Sequence, residues 1–116
     1  MPIINKTRNT IIAQDVVIAD TALSRLKGLL GRDTLASREA LVITQCRSIH
    51  MFFMRFAIDV IFVDKKNRVV GLVKRIKPFY MSPYFWRASA AIELHEGVIE
   101  FSHTQVGDEI QIQGET

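Results

Sequence analysis

A single cysteine, Cys46, among 116 residues excludes an intrachain disulfide, a condition that fits a reducing compartment. Three prolines and six glycines are too few for a collagen-like or low-complexity chain. No apolar run approaches the roughly 18–20 residues that a bilayer-spanning helix requires. The N-terminus, Met1-Pro2-Ile3-Ile4-Asn5-Lys6, lacks a basic start followed by an apolar stretch and a small-residue cleavage site. No signal peptide is therefore expected, and a cytoplasmic location is the expectation. A strong excess of one charge is also missing. The 15 Lys and Arg against 12 Asp and Glu leave +3, which disfavours nucleic acid as a partner because the electrostatic footprint is weak. The chain has no phosphate-cradling glycine loop, no Gly-x-Ser-x-Gly elbow, no His-Glu-x-x-His and no Cys-x-x-Cys.

What is present is a chain that is 48% hydrophobic and 23% charged, the balance of one globular domain over residues 1–116 that buries a single core. Ile3-Ile4, Ile11-Ile12 and Val16-Val17-Ile18 flank a polar stretch, predicting an opening hairpin. Asp20, as N-cap, precedes Ala22, Leu23, Leu26, Leu29 and Leu30 at helical spacing, predicting a helix over about 20–31. Gly28 inside that pattern is expected to allow close approach to another backbone, and Gly31 to end the helix. Leu41-Val42-Ile43, Ile58 to Val63, Val69 to Lys77, Ala88 to Leu94 and Glu109 to Gln113 read as strands. Alternation places Val70, Leu72 and Ile76 on one face of their strand and Val69 and Val73 on the other. The sum is a mostly-β fold, a small barrel or sandwich of about seven short strands with one helix packed on it.

The stretch from Cys46 to Asp64 contains Ile49-His50-Met51-Phe52-Phe53-Met54-Arg55-Phe56-Ala57-Ile58-Asp59. It resembles the signature of the family catalogued as domain of unknown function 192, in its Ile-His-x-Phe-Phe-Met-Arg-Phe-x-Ile-Asp branch. Upstream, Arg25-Leu26-Lys27-Gly28-Leu29-Leu30-Gly31-Arg32 is similar to that family's Arg-x-x-Gly-Leu-Met-x-Arg helix, with Leu30 in place of Met. Downstream, Ala91-Ile92-Glu93-Leu94 with Gly97, and Val106-Gly107-Asp108-Glu109-Ile110, resemble its Val-Leu-Glu and closing Gly-Asp motifs. The resemblance runs in order from Ala22 to Ile110 and departs at Ala57, where Pro is common. It implies a small β-rich fold and no established activity, substrate or cofactor.

Four features could carry chemistry. Cys46 and His50 stand at Cys-x-x-x-His spacing beside Met51 and Met54, soft donors suited to Cu(I). No second ligand pair completes a site, so neither a metal nor a cofactor is expected, and core filling with local hydrogen bonding is the plainer reading. Asp59 is a lone acid in an apolar strand, on the side of Ile61 and Val63. It needs a partner, either an arginine or backbone amides that fix strand against helix, or it lines a cleft with His50. The loop Pro78 to Arg87 is half aromatic and holds the single Trp and both Tyr. It reads equally as a lid folded on the domain and as a docking surface. Charge is also segregated. Lys65 to Arg87 contains seven Lys and Arg and no acid, and Ala88 onward contains no Lys or Arg. A basic strand entering an aromatic loop has the components of a single-stranded nucleic-acid platform, although a solvated face balanced by nearby acids is the duller account.

These readings converge on a non-catalytic binding domain with a polar or anionic ligand site between the helix and the 49–59 segment. Arg25, Arg32 and Arg55 attract the ligand, His50 and Asp59 orient it, and Tyr84 and Trp86 supply apolar contact. Two alternatives stay open: a hydrolase or transferase using His50 and Asp59 as an acid–base pair, and a protein–protein assembly module acting through loop 78–87.

Overall fold

The computed structural model describes residues 2–112, the side chains of Ala22 and Leu26 excepted. Eight strands and two short helices follow in the order β1 (Ile3–Asn5), β2 (Thr10–Ala13), β3 (Asp15–Ala19), α1 (Ala22–Lys27), β4 (Glu39–Thr44), β5 (Ile58–Val63), β6 (Val69–Ile76), β7 (Ala90–His95), α2 (Val98–Phe101) and β8 (Ile110–Ile112). Three strands form one antiparallel sheet, β2-β1-β8, and five form the other, β3-β4-β7-β5-β6. The two sheets do not close into a barrel, so of the two expected architectures the layered one applies. In the larger sheet β3 runs parallel to β4 and the other pairs are antiparallel. The β3-α1-β4 crossover is a βαβ element that the strand spacing did not predict. Gln113, expected in the last strand, lies outside the described residues.

The five-stranded sheet is covered on both faces, which fixes everything that follows. On one face Ile61, Val63, Ile92 and Leu94 pack against Ile3, Ile12, Ile110 and Ile112 of the smaller sheet. On the other face Leu41, Ile43, Ile58, Val60 and Phe62 meet Leu29, Ile49, Met51 and Met54. β5 is consequently buried along its whole length, which explains its nearly continuous apolar sequence. Two β-bulges in β6, opposite Phe62/Val63 and Ile58/Val60, break strict alternation. Val70, Val73 and Ile76 therefore share the helix-side core while Leu72 packs on the opposite one, contrary to the even-odd expectation.

α1 is shorter than its sequence pattern. Thr21, not Asp20, is the N-cap, and it forms a reciprocal capping box with Ser24. Gly28 ends the helix at φ 48, ψ −127. A Cβ there would meet only Arg25 O and an Ile43 methyl, both at 3.9 Å. Its requirement is the positive φ and not the close backbone approach expected. Among the described residues no helix is long and apolar enough to cross a membrane.

Candidate functional site

β7 is the central strand of the larger sheet, between β4 and β5. Its alternation sends Ile92 and Leu94 to the inter-sheet core and Ala91 and Glu93 to the helix side. The backbone partners of Glu93 are Leu41 on β4 and Val60 on β5, both apolar. The residue is 6% exposed, and its carboxyl Oε1 is buried without a hydrogen-bond partner. Desolvation alone pushes its pKa from 4.5 up to about 7. An unpaired buried carboxyl is costly wherever it occurs, and this one borders a cavity.

The cavity, about 130 Å³, lies between the end of α1 and the segment after β4. Arg25, Cys46, Ser48, His50, Met51 and Met54 line it together with Glu93. Arg25 is placed by α1 and reaches out to the Asp20 carbonyl at 2.8 Å and Thr44 Oγ1 at 3.4 Å. The irregular segment 47–51 is held by loop 78–87: Phe85 N–H donates to Arg47 O, Ser82 N–H to Ile49 O, Met51 N–H to Tyr80 O and Phe79 N–H to Met51 O. This ladder turns Ile49 and Met51 inward and leaves His50 exposed, its ring 5.1 Å from that of Phe52. The Cys46 thiol donates to the Ser48 carbonyl. Burial, then the charge of Glu93, pushes its pKa up, so it stays a thiol at neutral pH. Among the described residues no group of three or more His, Cys, Asp or Glu side chains could hold a metal ion.

Of the seven residues expected to hold a ligand, the cavity gathers Arg25 and His50, and with them Cys46, Met51 and Met54 of the first chemical feature. Arg32 pairs with Glu39 at 3.1 Å and Arg55 with Asp33 at 2.6 Å, each on the surface. Asp59 does not join His50. It is 0% exposed on the other face of the sheet, where Oδ1 accepts from Arg75 N–H and Oδ2 from Ile99 N–H, both at 2.9 Å. It thereby pins the β6 bulge and the first turn of α2 to β5, the amide-capping alternative rather than the cleft. Tyr84 and Trp86 are exposed, and Trp86 lies beside a separate basic groove. Of the aromatic residues in loop 78–87 only Phe85 folds back, its ring 4.6 Å from Phe62 and over Gly71. Glu93 is not among the residues singled out in the sequence as candidates, although its signal, one acid in an apolar strand, is the same as that of Asp59.

A family model, DUF192, described as an uncharacterized ACR, matches residues 3–112. The chain is 38% identical to a UPF0127 protein of Thermococcus sibiricus, covering 93% of this chain and 72% of that one. It is 34% identical to a UPF0127 protein of Pyrococcus horikoshii, covering 94% and 96% respectively. A crystal structure of a protein of unknown function from Novosphingobium aromaticivorans superposes with a TM-score of 0.84 at 20% identity, over 97% of this chain and 84% of that one. A putative transcription regulator from Sinorhizobium meliloti superposes at 0.74 with 16% identity, over 95% and 89%. These two structures share the fold.

Proposed function

Because the chain belongs to the DUF192 family, whose description carries no activity, its function has to be argued from the site, and we propose that it is a binding domain for a small polar ligand that enters the cavity between α1 and the 46–54 segment. The observation that carries this reading is Glu93. A carboxyl oxygen buried with no partner, on the wall of a cavity, leaves a vacant acceptor for an N–H or O–H donor from a guest. The volume of about 130 Å³ equals about four water molecules. It suits an amide, amidine or ammonium head rather than a whole cofactor. Arg25 and His50 at the rim favour a polar or anionic remainder outside. This narrows the expected polar or anionic ligand to a donor-bearing group with an anionic or polar tail.

The test is an NMR screen of acetamide, acetamidine and free amino acids, followed through the amides of Cys46, His50, Met51 and Glu93. Binding that perturbs these residues and weakens about tenfold or more in Glu93→Gln, as expected for a hydrogen bond to a charged group, supports the reading. Binding unaffected by that substitution, or no perturbation by any compound, refutes it.

The His50–Asp59 acid–base pair draws no support from the geometry, since both Asp59 oxygens serve backbone amides. The assembly alternative is favoured by one observation. Phe53, Phe79, Tyr80 and Met81 are exposed side by side, with the Phe53 and Phe79 rings 6.3 Å apart. Light scattering over a concentration series tests self-association through that patch, which Phe53→Ser is expected to abolish.

A further inference from the structure

At the opposite end of loop 78–87 three distant chain segments meet. The Ser89 N–H donates to Val63 O and the Phe85 N–H to Arg47 O. These bonds bring the β5–β6 turn, the residues before β7 and the residue group after β4 around one groove of about 560 Å³. Arg47, Lys65, Lys66, Arg68, Trp86 and Arg87 line it, with Asp64 as the one acid. Asp64 is engaged in the turn, its Oδ1 accepting from Lys66 N–H and Arg68 N–H. Glu109, bridged to Arg68 through the backbone, is paired with Lys6.

What sets the groove apart is how many cations without a carboxylate partner it gathers in one place. Elsewhere Lys6, Arg8, Arg32, Arg38, Arg55 and Arg75 each pair with a carboxylate, while Arg25, Lys27, Lys74 and Lys77 lie outside the groove. Among the described residues, none of the five cations in the groove has such a partner. Beside this uncompensated charge, Trp86 is 68% exposed, and the Arg87 guanidinium sits 4.9 Å from its ring centroid, steadying the indole. The overall charge of +3 hides this arrangement, because six of the 12 acids lie from Ala88 onward, where there is no Lys or Arg, while these cations converge.

We infer that this groove binds single-stranded nucleic acid, the five cations tracking the phosphates and Trp86 stacking on an unpaired base. Unpaired cations beside an exposed aromatic ring are what a phosphodiester with a free π-face recognises. A single strand fits better than a duplex. Neither helix, of six and four residues, is long enough to serve as a recognition helix in a major groove, and Trp86 needs an unstacked base. The groove volume falls within the range of about 300–1,000 Å³ typical of ligand sites, enough for one or two nucleotides.

The test is fluorescence anisotropy of a fluorescein-labelled thymidylate dodecamer titrated with the intact chain at low salt. A dissociation constant of about 1–100 µM is expected, weakening as salt rises. The double substitution Lys65→Ala/Lys66→Ala is expected to flatten the log–log salt slope by about 1.4. Trp86→Ala is expected to weaken binding about fivefold or more, with Trp86→Phe restoring most of it. Both variants change exposed side chains, and matched melting curves confirm that they fold. Glu93→Gln is expected to leave oligomer binding unchanged, which separates this inference from the cavity reading. Absence of binding, a salt slope indifferent to the lysines, or an affinity indifferent to Trp86 would overturn it. So would inorganic phosphate competing as well as the oligomer at equal phosphate concentration, or phosphatidylserine vesicles binding where the oligomer does not.

Discussion

Replacing Glu93 by Gln removes one ionisable group from the centre of the larger sheet and keeps its shape. In the unfolded chain this carboxyl titrates near 4.5, and in the fold burial pushes it up to about 7. The native state therefore holds its proton more tightly. Between these two values it carries more bound protons than the unfolded state, so stability falls as pH rises. The stabilisation is complete below 4.5, declines across the interval and is gone above about 7. At about 1.4 kcal/mol per pH unit, that interval corresponds to about 3 kcal/mol. Glu93→Gln abolishes this dependence. The variant is expected to match the wild type near pH 4.5 and to exceed it by about 3 kcal/mol at pH 8, or about 10 °C in Tm for a domain of this size. Urea unfolding of both proteins at pH 5, 6, 7 and 8 measures the difference, and the comparison cancels the titrating groups on which Glu93 does not act, Cys46 being the one it does. Glu39 and Asp108 stand outside the window in any case. Glu39 is held below its ordinary value by the Ala36 N–H, and Asp108 by hydrogen bonds from Arg8 and Asn5 that outweigh its burial. Parallel pH slopes for wild type and variant would refute the reasoning, since they would mean that Glu93 titrates alike folded and unfolded.

Further expectations concern the scaffold of the site. Asp59→Ala leaves the amides of Arg75, part-buried, and Ile99, buried, without their acceptor and is expected to cost about 2–5 kcal/mol in urea unfolding; a loss under 1 kcal/mol would deny that Asp59 holds the β6 bulge and α2. In Gly71→Ala the new Cβ would lie 2.3–2.6 Å from the Phe85 ring. The ring must leave Phe62, lowering stability by about 1–3 kcal/mol and altering the near-ultraviolet circular dichroism; an unchanged spectrum would contradict the packing. The Cys46 thiol, raised by burial and by Glu93, is expected to react with iodoacetamide at pH 8 more slowly than in urea, and faster in Glu93→Gln than in the wild type; equal rates in the two folded proteins would show that Glu93 does not act on it.

Much of the strand pattern was legible because β4, β5 and β6 announce themselves as apolar runs bounded by polar turns. The edges of that reading fail for physical reasons. α2 has four residues, too few for helical periodicity, and its first turn is held by Asp59, 40 positions away. The bulges of β6 come from pairing with β5, so no local signal marks them. Thr21 and Asp20 are both good caps, and only the placement of Ser24 decides between them. The site shows the same division. The place, between the helix and the segment around His50, was readable from clustered chemistry. The acid was not. Asp59 and Glu93 present the same sequence signal, and alternation says which neighbours share each face but not which face looks onto the cavity. That depends on what packs on each face of the sheet: α2 sits over β5 and takes Asp59, while Glu93 is left on the helix side.

The most direct test of the central claim is a 13C NMR titration of the Glu93 side-chain carboxyl, without and with acetamidine. The account predicts a midpoint near 7 for the free protein that falls when the amidine donates to the carboxylate. A midpoint at the ordinary glutamate value, unmoved by the amidine, would contradict it.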